Sequence, residues 1–446
     1  MNYDILIHNA TIVTVNPAFD IIESGWVGIR ADRLAGIGPA AGNGPIPPAG
    51  EIIDAHGGIV MPGLINTHTH LPMTIFRGLA DDLPLLEWLN EIIFPAETAH
   101  IDSETVFLGA LLGCAESMLS GTTTCCDGYF FEDAVARAVQ EAGMRAVLGH
   151  GVIDFPAPGV PDPSTNVRYA MIFAEKWANR SPLILPSIFC HSPYTCSALT
   201  LKNAKDAARA GDLLFQIHVA ETSQERNRIQ ADGGVSPVEH LDGLGVLDGR
   251  TLLVHAVWIG DEDIQRIAGC GAAVSHNPES NMKLASGIAP IPELIKAGVC
   301  VGLGTDGCAS NNDLDLLREM DMAAKLHKVN LFDPTVMDAR KVVEMATIDG
   351  AKAIGLDTAV GSLEIGKQAD VVILDSGRPH LVPMYHPASH IVYAAVGSDV
   401  KDVIVAGKVV VRNGSLQTLD VDALMRRVNT LALDIRGENK KGGLCT

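Results

Sequence analysis

The stretch IVMPGLINTHTH, residues 59–70, carries an apolar run from Ile59 to Asn66 straight into His68 and His70. Short apolar runs bounded by turn residues read as strands buried on both faces. Seven more follow at intervals: Thr122 to Asp127, Arg145 to Ile153, Ile184 to Cys190, Leu213 to Val219, Thr251 to Ala256, Ala272 to His276 and Cys300 to Thr305. Amphipathic stretches separate them, among them Asp102 to Ser120, Phe131 to Ala142 and Asp261 to Ala268. The first of these opens at an Asp102/Ser103 cap and stops at Gly121. Eight buried strands alternating with helices predict an α/β chain folded as a closed (β/α)8 TIM-like barrel.

Outward from that core the pattern changes. Residues 1–57 carry alternating strands, Asp4 to Val15 and Trp26 to Gly36, broken by Pro and Gly. After Gly361 strand character returns in Ala369 to Leu374, His390 to Ala395 and a hairpin of Val400 to Ala406 with Lys408 to Arg412. The simplest architecture is a barrel of residues 58–360 inserted into one small β-sandwich. Residues 1–57 and 361–446 build that sandwich, with Val421 to Ile435 as a closing helix.

Composition narrows the function classes. Of 446 residues, 47% are hydrophobic and 5% aromatic, enough to bury a large aliphatic core. Against 33 Lys and Arg stand 53 Asp and Glu, and the resulting charge of −20 repels phosphate backbones, so no nucleic-acid partner is expected. No apolar run approaches the ~18 residues of a spanning helix, and Met1 to Pro17 alternates like a strand where a signal peptide would have a basic flank and apolar run. A cytoplasmic protein without a membrane partner is the expectation. Nine cysteines, scattered apart from Cys125 and Cys126, form no C-x-x-C pair and no disulfide framework. Any bound metal therefore falls to histidine and carboxylate.

Barrel active sites lie where the strands end. His68 and His70 follow the first strand, His191 the fourth, His218 and Glu221 the fifth, His255 the sixth, His276 the seventh and Asp306 the eighth. The H-x-H pair puts both imidazoles on one side of an extended segment; alone, it reads equally well as a solvated loop. His218 ends an apolar run, where an imidazole needs a hydrogen bond or a metal. His68, His70, His218 and Asp306 together make three nitrogens and one oxygen, a set that suits one catalytic Zn²⁺, with Fe²⁺ the alternative. A second metal would want a further anionic ligand such as a modified lysine near the end of strand four, and Leu185 to Pro193 contains no lysine. Glu221 is placed to move a proton between the activated water and a ring nitrogen. His255 is placed to hydrogen-bond that water and steady an anionic intermediate.

At these residues the chain resembles the amidohydrolase superfamily, and over nearly its full length it is similar to the 5-methylthioadenosine/S-adenosylhomocysteine deaminases. The motifs are PGLINTHTHLPM (62–73), RGLADDLPLLEW (77–88), HSPYTCS (191–197), HVAE (218–221), NMKLASG (281–287) and GTDGCASNND (304–313). The resemblance implies metal binding by His68, His70, His218 and Asp306, with Glu221 shuttling protons and Asp306 assisting the attacking water. It further implies that Glu97 binds the ribose hydroxyls, that His191 hydrogen-bonds the nucleoside and that Trp88 packs against it. Arg168 is the candidate for reading the carboxylate of a homocysteine tail. The implied reaction is hydrolytic deamination of the adenine ring of 5′-modified adenosines: S-adenosylhomocysteine, 5′-methylthioadenosine, 5′-deoxyadenosine or adenosine. By the same resemblance the chain is a homo-oligomer, dimer or tetramer. Two other readings stand beside this one: an aminohydrolase or chlorohydrolase acting on guanine, another free base or a triazine, and an inactive barrel with a binding role.

Overall fold

The computed structural model describes residues 2–40 and 46–441. The N-terminal strands are β1 (Tyr3–Val13), β2 (Ile21–Arg30), β3 (Arg33–Pro39), β4 (Ala49–Asp54) and β5 (Ile59–Pro62). The barrel follows with β6 (Leu64–Thr69), β7 (Thr122–Tyr129), β8 (Arg145–Val152), β9 (Ile184–Cys190), β10 (Leu214–Val219), β11 (Thr251–His255), β12 (Ala273–His276) and β13 (Val301–Leu303). The chain then returns through β14 (Val371–Leu374), β15 (Val400–Val405), β16 (Lys408–Arg412) and β17 (Ser415–Leu416), and ends in the helix Val421–Lys441. Among the described residues no helix is long and apolar enough to cross a membrane.

Each barrel strand from β6 to β13 pairs in parallel with its neighbour. The circle closes where β13 returns to β6: Thr67 Oγ1 donates to the Leu303 carbonyl at 2.9 Å and Asp306 N to the His68 carbonyl at 3.0 Å. Gly304 makes this approach feasible, because a Cβ there would lie 2.7 Å from Ser275 Oγ and 2.8 Å from His68 N. The interior carries a polar layer beneath the site. Asn66 Nδ2 donates to Thr305 Oγ1 at 2.8 Å, Thr67 and Ser275 share a 2.7 Å hydroxyl contact, and Gln216 Nε2 donates to Ser187 Oγ at 2.7 Å. These pairs satisfy buried polar groups of the layer against one another, as a low-dielectric interior requires.

The termini form one nine-stranded mixed sheet in the order β17-β16-β15-β14-β5-β1-β2-β3, with β4 also paired to β1. Residues of both wings, Ile7, Val27 and Ile29 with Val371, Ile373 and Ile404, belong to a single apolar cluster. The run Ile59 to Asn66 is two strands, not one. Val60 pairs with Ile373 in the outer sheet, Leu64 with Thr122 in the barrel, and the chain crosses over at Gly63, where Thr123 leaves no room for a Cβ. Trp26 to Gly36 likewise divides into a hairpin, turning at Ala31, which adopts φ +52°. His390 to Ala395 is not a strand: His390 lies in the helix Pro387–Tyr393, and its Ala388, Ile391 and Val392 are buried. That i, i+3, i+4 spacing, with Pro at the first turn and the His386 side chain accepting from Ser389 N, is helical. Arg145 at the foot of β8 joins barrel to sheet through a two-pronged buried pair with Asp370, Nε–Oδ2 at 3.0 Å and Nη2–Oδ1 at 3.1 Å.

Candidate active site

The strand ends converge as the sequence pattern implies, with one exception. His68 and His70 leave β6, His218 leaves β10, His255 ends β11 and Asp306 follows β13. The His68 and His70 Nε2 atoms each lie 3.4 Å from Asp306 Oδ1, and His68 Nε2 is 3.2 Å from His218 Nε2. Two overlapping donor triads result, His68/His70/Asp306 and His68/His218/His255, sharing His68. His276 turns away: its Nε2 meets His327 Nε2 at 3.0 Å, and it is not part of the cavity lining.

Burial sets the charge states. It pushes His68 down to about 3, His70 below the ordinary imidazole range and His218 well below it, so all three present neutral nitrogens. Burial also pushes Asp306 up, but the hydrogen bond from His68 and the surrounding imidazoles outweigh this and hold it well below the usual carboxylate range. Ser280 and Ser310 Oγ both donate to Asp306 Oδ2, at 2.7 and 2.8 Å, and fix its plane. His255 and Asp306 adopt left-handed backbone, φ +73° and +63°, a conformation that costs energy and collects at functional sites.

Above this cluster opens a cavity of about 830 Å³. Glu221 lines it, with Oε2 3.9 Å from His255 Nε2, and burial raises its carboxyl above the usual range. His255 Nδ1 meets Asn281 Oδ1 at 2.9 Å, and Glu221 N donates to Glu225 Oε2 at 3.1 Å. At the far side Glu97 is buried, accepts from Tyr129 OH at 2.5 Å and is pushed up to about 7 by burial. His191 also lines the cavity, its Nδ1 2.9 Å from Thr195 Oγ1, and burial lowers it to about 4. Trp88 forms part of the wall while its Nε1 donates to the Ala80 carbonyl at 3.1 Å. Arg168 stands apart, exposed on the helix Asn166–Trp177 and outside the cavity lining.

The amidohydrolase family model matches residues 59–410, which spans the barrel and its return into the outer sheet. The 5-methylthioadenosine/S-adenosylhomocysteine deaminase 1 of Syntrophus aciditrophicus is 43% identical over 440 residues, covering 99% of each chain. The chain belongs to this deaminase family. The 5′-deoxyadenosine deaminase of Methanothermobacter thermautotrophicus is 46% identical over 418 residues, 93% of this chain and 96% of that one. Among solved structures, an adenosine deaminase from Xanthomonas campestris with bound zinc superposes with a TM-score of 0.95 at 36% identity, covering 98% of this chain and 99% of that one.

Several residues that shape the site escape a reading based on strand ends. Asn281, Ser280 and Ser310 orient His255 and Asp306 from 26 or fewer residues away, and Tyr129 reaches Glu97 across 32. Asn281 does open the NMKLASG motif and Ser310 falls within GTDGCASNND, the two available signals.

Proposed function

We propose that this chain removes the 6-amino group of 5′-modified adenosines by hydrolysis, using one divalent ion, zinc or alternatively iron, held by His68, His70, His218 and Asp306. The observation that carries this reading is the meeting of neutral His68 and His218 nitrogens at 3.2 Å beside an ionised Asp306. The ligand atoms form two triads whose members lie within 4.8 Å of one another, close enough to share one cation, and the donor set is one that zinc takes. When bound, the ion supplies a water acidic enough to attack carbon at neutral pH.

The protein's own groups supply the rest. Glu221, its affinity for a proton raised by burial, takes a proton from the attacking water and delivers it to purine N1. His255 donates from Nδ1 to Asn281, which leaves Nε2 to accept a hydrogen bond from that water and orient it. The water's other hydrogen is accepted by His255 or Asp306 and ends on the amino group, which leaves as ammonia. Glu97 has room on its carboxylate for the two hydroxyls of a ribose, a group that guanine and triazines lack. His191 hydrogen-bonds the nucleoside and Trp88 packs beside it. Phe94, Phe130, Val152 and Ile153 make part of the cavity wall apolar, which supports a methyl or methylthio group at the 5′ position. A homocysteine tail read by Arg168 would have to leave this cavity.

The test is ammonia release with metal content measured on the same sample, across S-adenosylhomocysteine, methylthioadenosine, 5′-deoxyadenosine, adenosine, adenine, guanine and a chlorotriazine. The expected result is turnover of 5′-modified adenosines orders of magnitude above the free bases, with about one metal per chain. Turnover of a free base or triazine alone would replace the substrate reading. No metal and no turnover would revive an inactive barrel. The eight free cysteines of the described residues support a reducing, cytoplasmic setting. Assembly as a dimer or tetramer is part of the same proposal, and sedimentation checks it.

A further inference from the structure

His70 is held by two backbone groups that flank it, and both lead to one place. Its Nδ1 lies 2.6 Å from the Gly128 carbonyl, and the amide of the next residue, Leu71, donates to Asp127 Oδ1 at 2.5 Å. Asp127 and Gly128 are consecutive residues of β7. The geometry of His70 therefore depends on where Asp127 sits.

Asp127 is fully buried and its carboxyl lies against that of Glu132, the first residue of the helix Glu132–Ala142. Phe131, just before that helix, adopts φ +51°, and the turn carries the Glu132 side chain inward to 1% exposure instead of out to solvent. Asp127 Oδ2 has no hydrogen-bond donor among the described residues, and the Glu132 carboxyl meets only the Tyr129 and Gly149 amides, at the margin of hydrogen-bond geometry. Ionised carboxylates only accept, so two of them in contact with no donor between them would repel each other in an interior that solvates neither. One proton between them supplies the missing donor and removes one charge. Burial pushes Asp127 up to about 7 and Glu132 well above the ordinary carboxylic range, in keeping with a proton that stays.

We infer that Asp127 and Glu132 share one proton and form a clamp that positions His70 for the metal centre, a role that rests on the metal-binding reading above. Glu132 is not itself part of the cavity lining and reaches His70 through Asp127. Neither residue is catalytic; both are positioning residues.

Zinc affinity, measured by chelator competition on the full chain, tests the clamp. Glu132→Gln keeps a donor without needing the proton, and Asp127→Asn keeps the acceptor for Leu71 while donating to Glu132, so both variants are expected within about threefold of wild type. Glu132→Met fills the same space with neither donor nor acceptor and is expected to lose about 10- to 100-fold in zinc affinity, the range for partners that orient a metal ligand. Circular dichroism and thermal midpoint run in parallel show that each variant is folded. If Glu132→Met binds zinc like wild type, the clamp is wrong. If Glu132→Gln or Asp127→Asn, folded, loses zinc affinity by the 10- to 100-fold expected of Glu132→Met, the shared proton is wrong, and that holds even where the Met variant fails to fold. A wild-type chain that binds no zinc at all would instead remove the metal-centre reading on which the clamp depends.

Discussion

Glu97, buried, and Glu221, part-buried, line one cavity in different surroundings, and the roles proposed for them differ accordingly. Glu221 sits beside His255 and the donor cluster, so Glu221→Gln is expected to keep the metal and lose about 10²- to 10⁴-fold in kcat, the usual weight of a positioned acid–base group. Metal analysis with steady-state kinetics on that variant checks it; undiminished kcat would remove the proton-shuttle role. Glu97 touches Tyr129 and no cation, and its carboxyl titrates at about 7 because burial disfavours the charge. Below that pH it is protonated and has lost acceptor capacity. Above it the carboxylate can accept from both ribose hydroxyls. The KM for a 5′-modified adenosine should therefore fall as pH rises from 6 to 8, by up to about tenfold per unit on the acid side. A flat profile, or the same profile in Glu97→Gln, would show that Glu97 does not read the ribose. The candidate ligands at this scale were legible because histidine and carboxylate at strand ends are chemically costly unless used. The orienting partners were less so: Ser280 and Tyr129 are ordinary residues until the fold brings them within 3 Å of Asp306 and Glu97.

At the scale of elements, the metal centre depends on how closely β13 returns to β6. Gly304→Ala would place a methyl group 2.8 Å from His68 N and 2.9 Å from its carbonyl, both backbone atoms that cannot step aside. The expected outcome is a folded barrel with zinc affinity down by at least about tenfold, read by chelator competition. The helix Ser103–Leu119 is started by Asp102, whose carboxylate accepts from Glu104 N and Thr105 N. Asp102→Ala should cost about 1 kcal/mol in thermal or denaturant unfolding, with kinetics unchanged. Strand and helix identity came largely from periodicity. The errors came where periodicity is ambiguous: Ile59 to Ile65 shows no alternation across a sheet-to-barrel crossing marked only by Pro62 and Gly63, and His390 to Ala395 is too short to separate alternation from a helical face.

Across the whole molecule, barrel and outer sheet are joined by a charge pair taken out of water. Arg145 and Asp370 are 5% and 2% exposed, and Asp370 Oδ1 also accepts from Ala406 N at 2.7 Å. Asp370→Ala would strand a buried guanidinium and leave that amide unpaired, so a loss of about 3–5 kcal/mol is expected from the unfolding midpoint. Replacing both partners by apolar residues should cost much less. A double variant as unstable as Asp370→Ala would mean that the pair matters through shape and not charge.

The linear chain by itself determined the barrel, the assignment of both termini to a second sheet, and the ring of His68, His70, His218, Glu221, His255 and Asp306. These follow from local rules: strand period, turn residues, and the position of active sites at strand ends. Only the tertiary structure decided that His276 faces His327 and not the cavity, that Glu97 is buried against Tyr129, that Arg168 lies outside the cavity, and that Asp127 meets Glu132 beneath His70. Each of those depends on contacts between segments that no periodicity relates, and on which face of a helix or loop the surrounding packing turns inward.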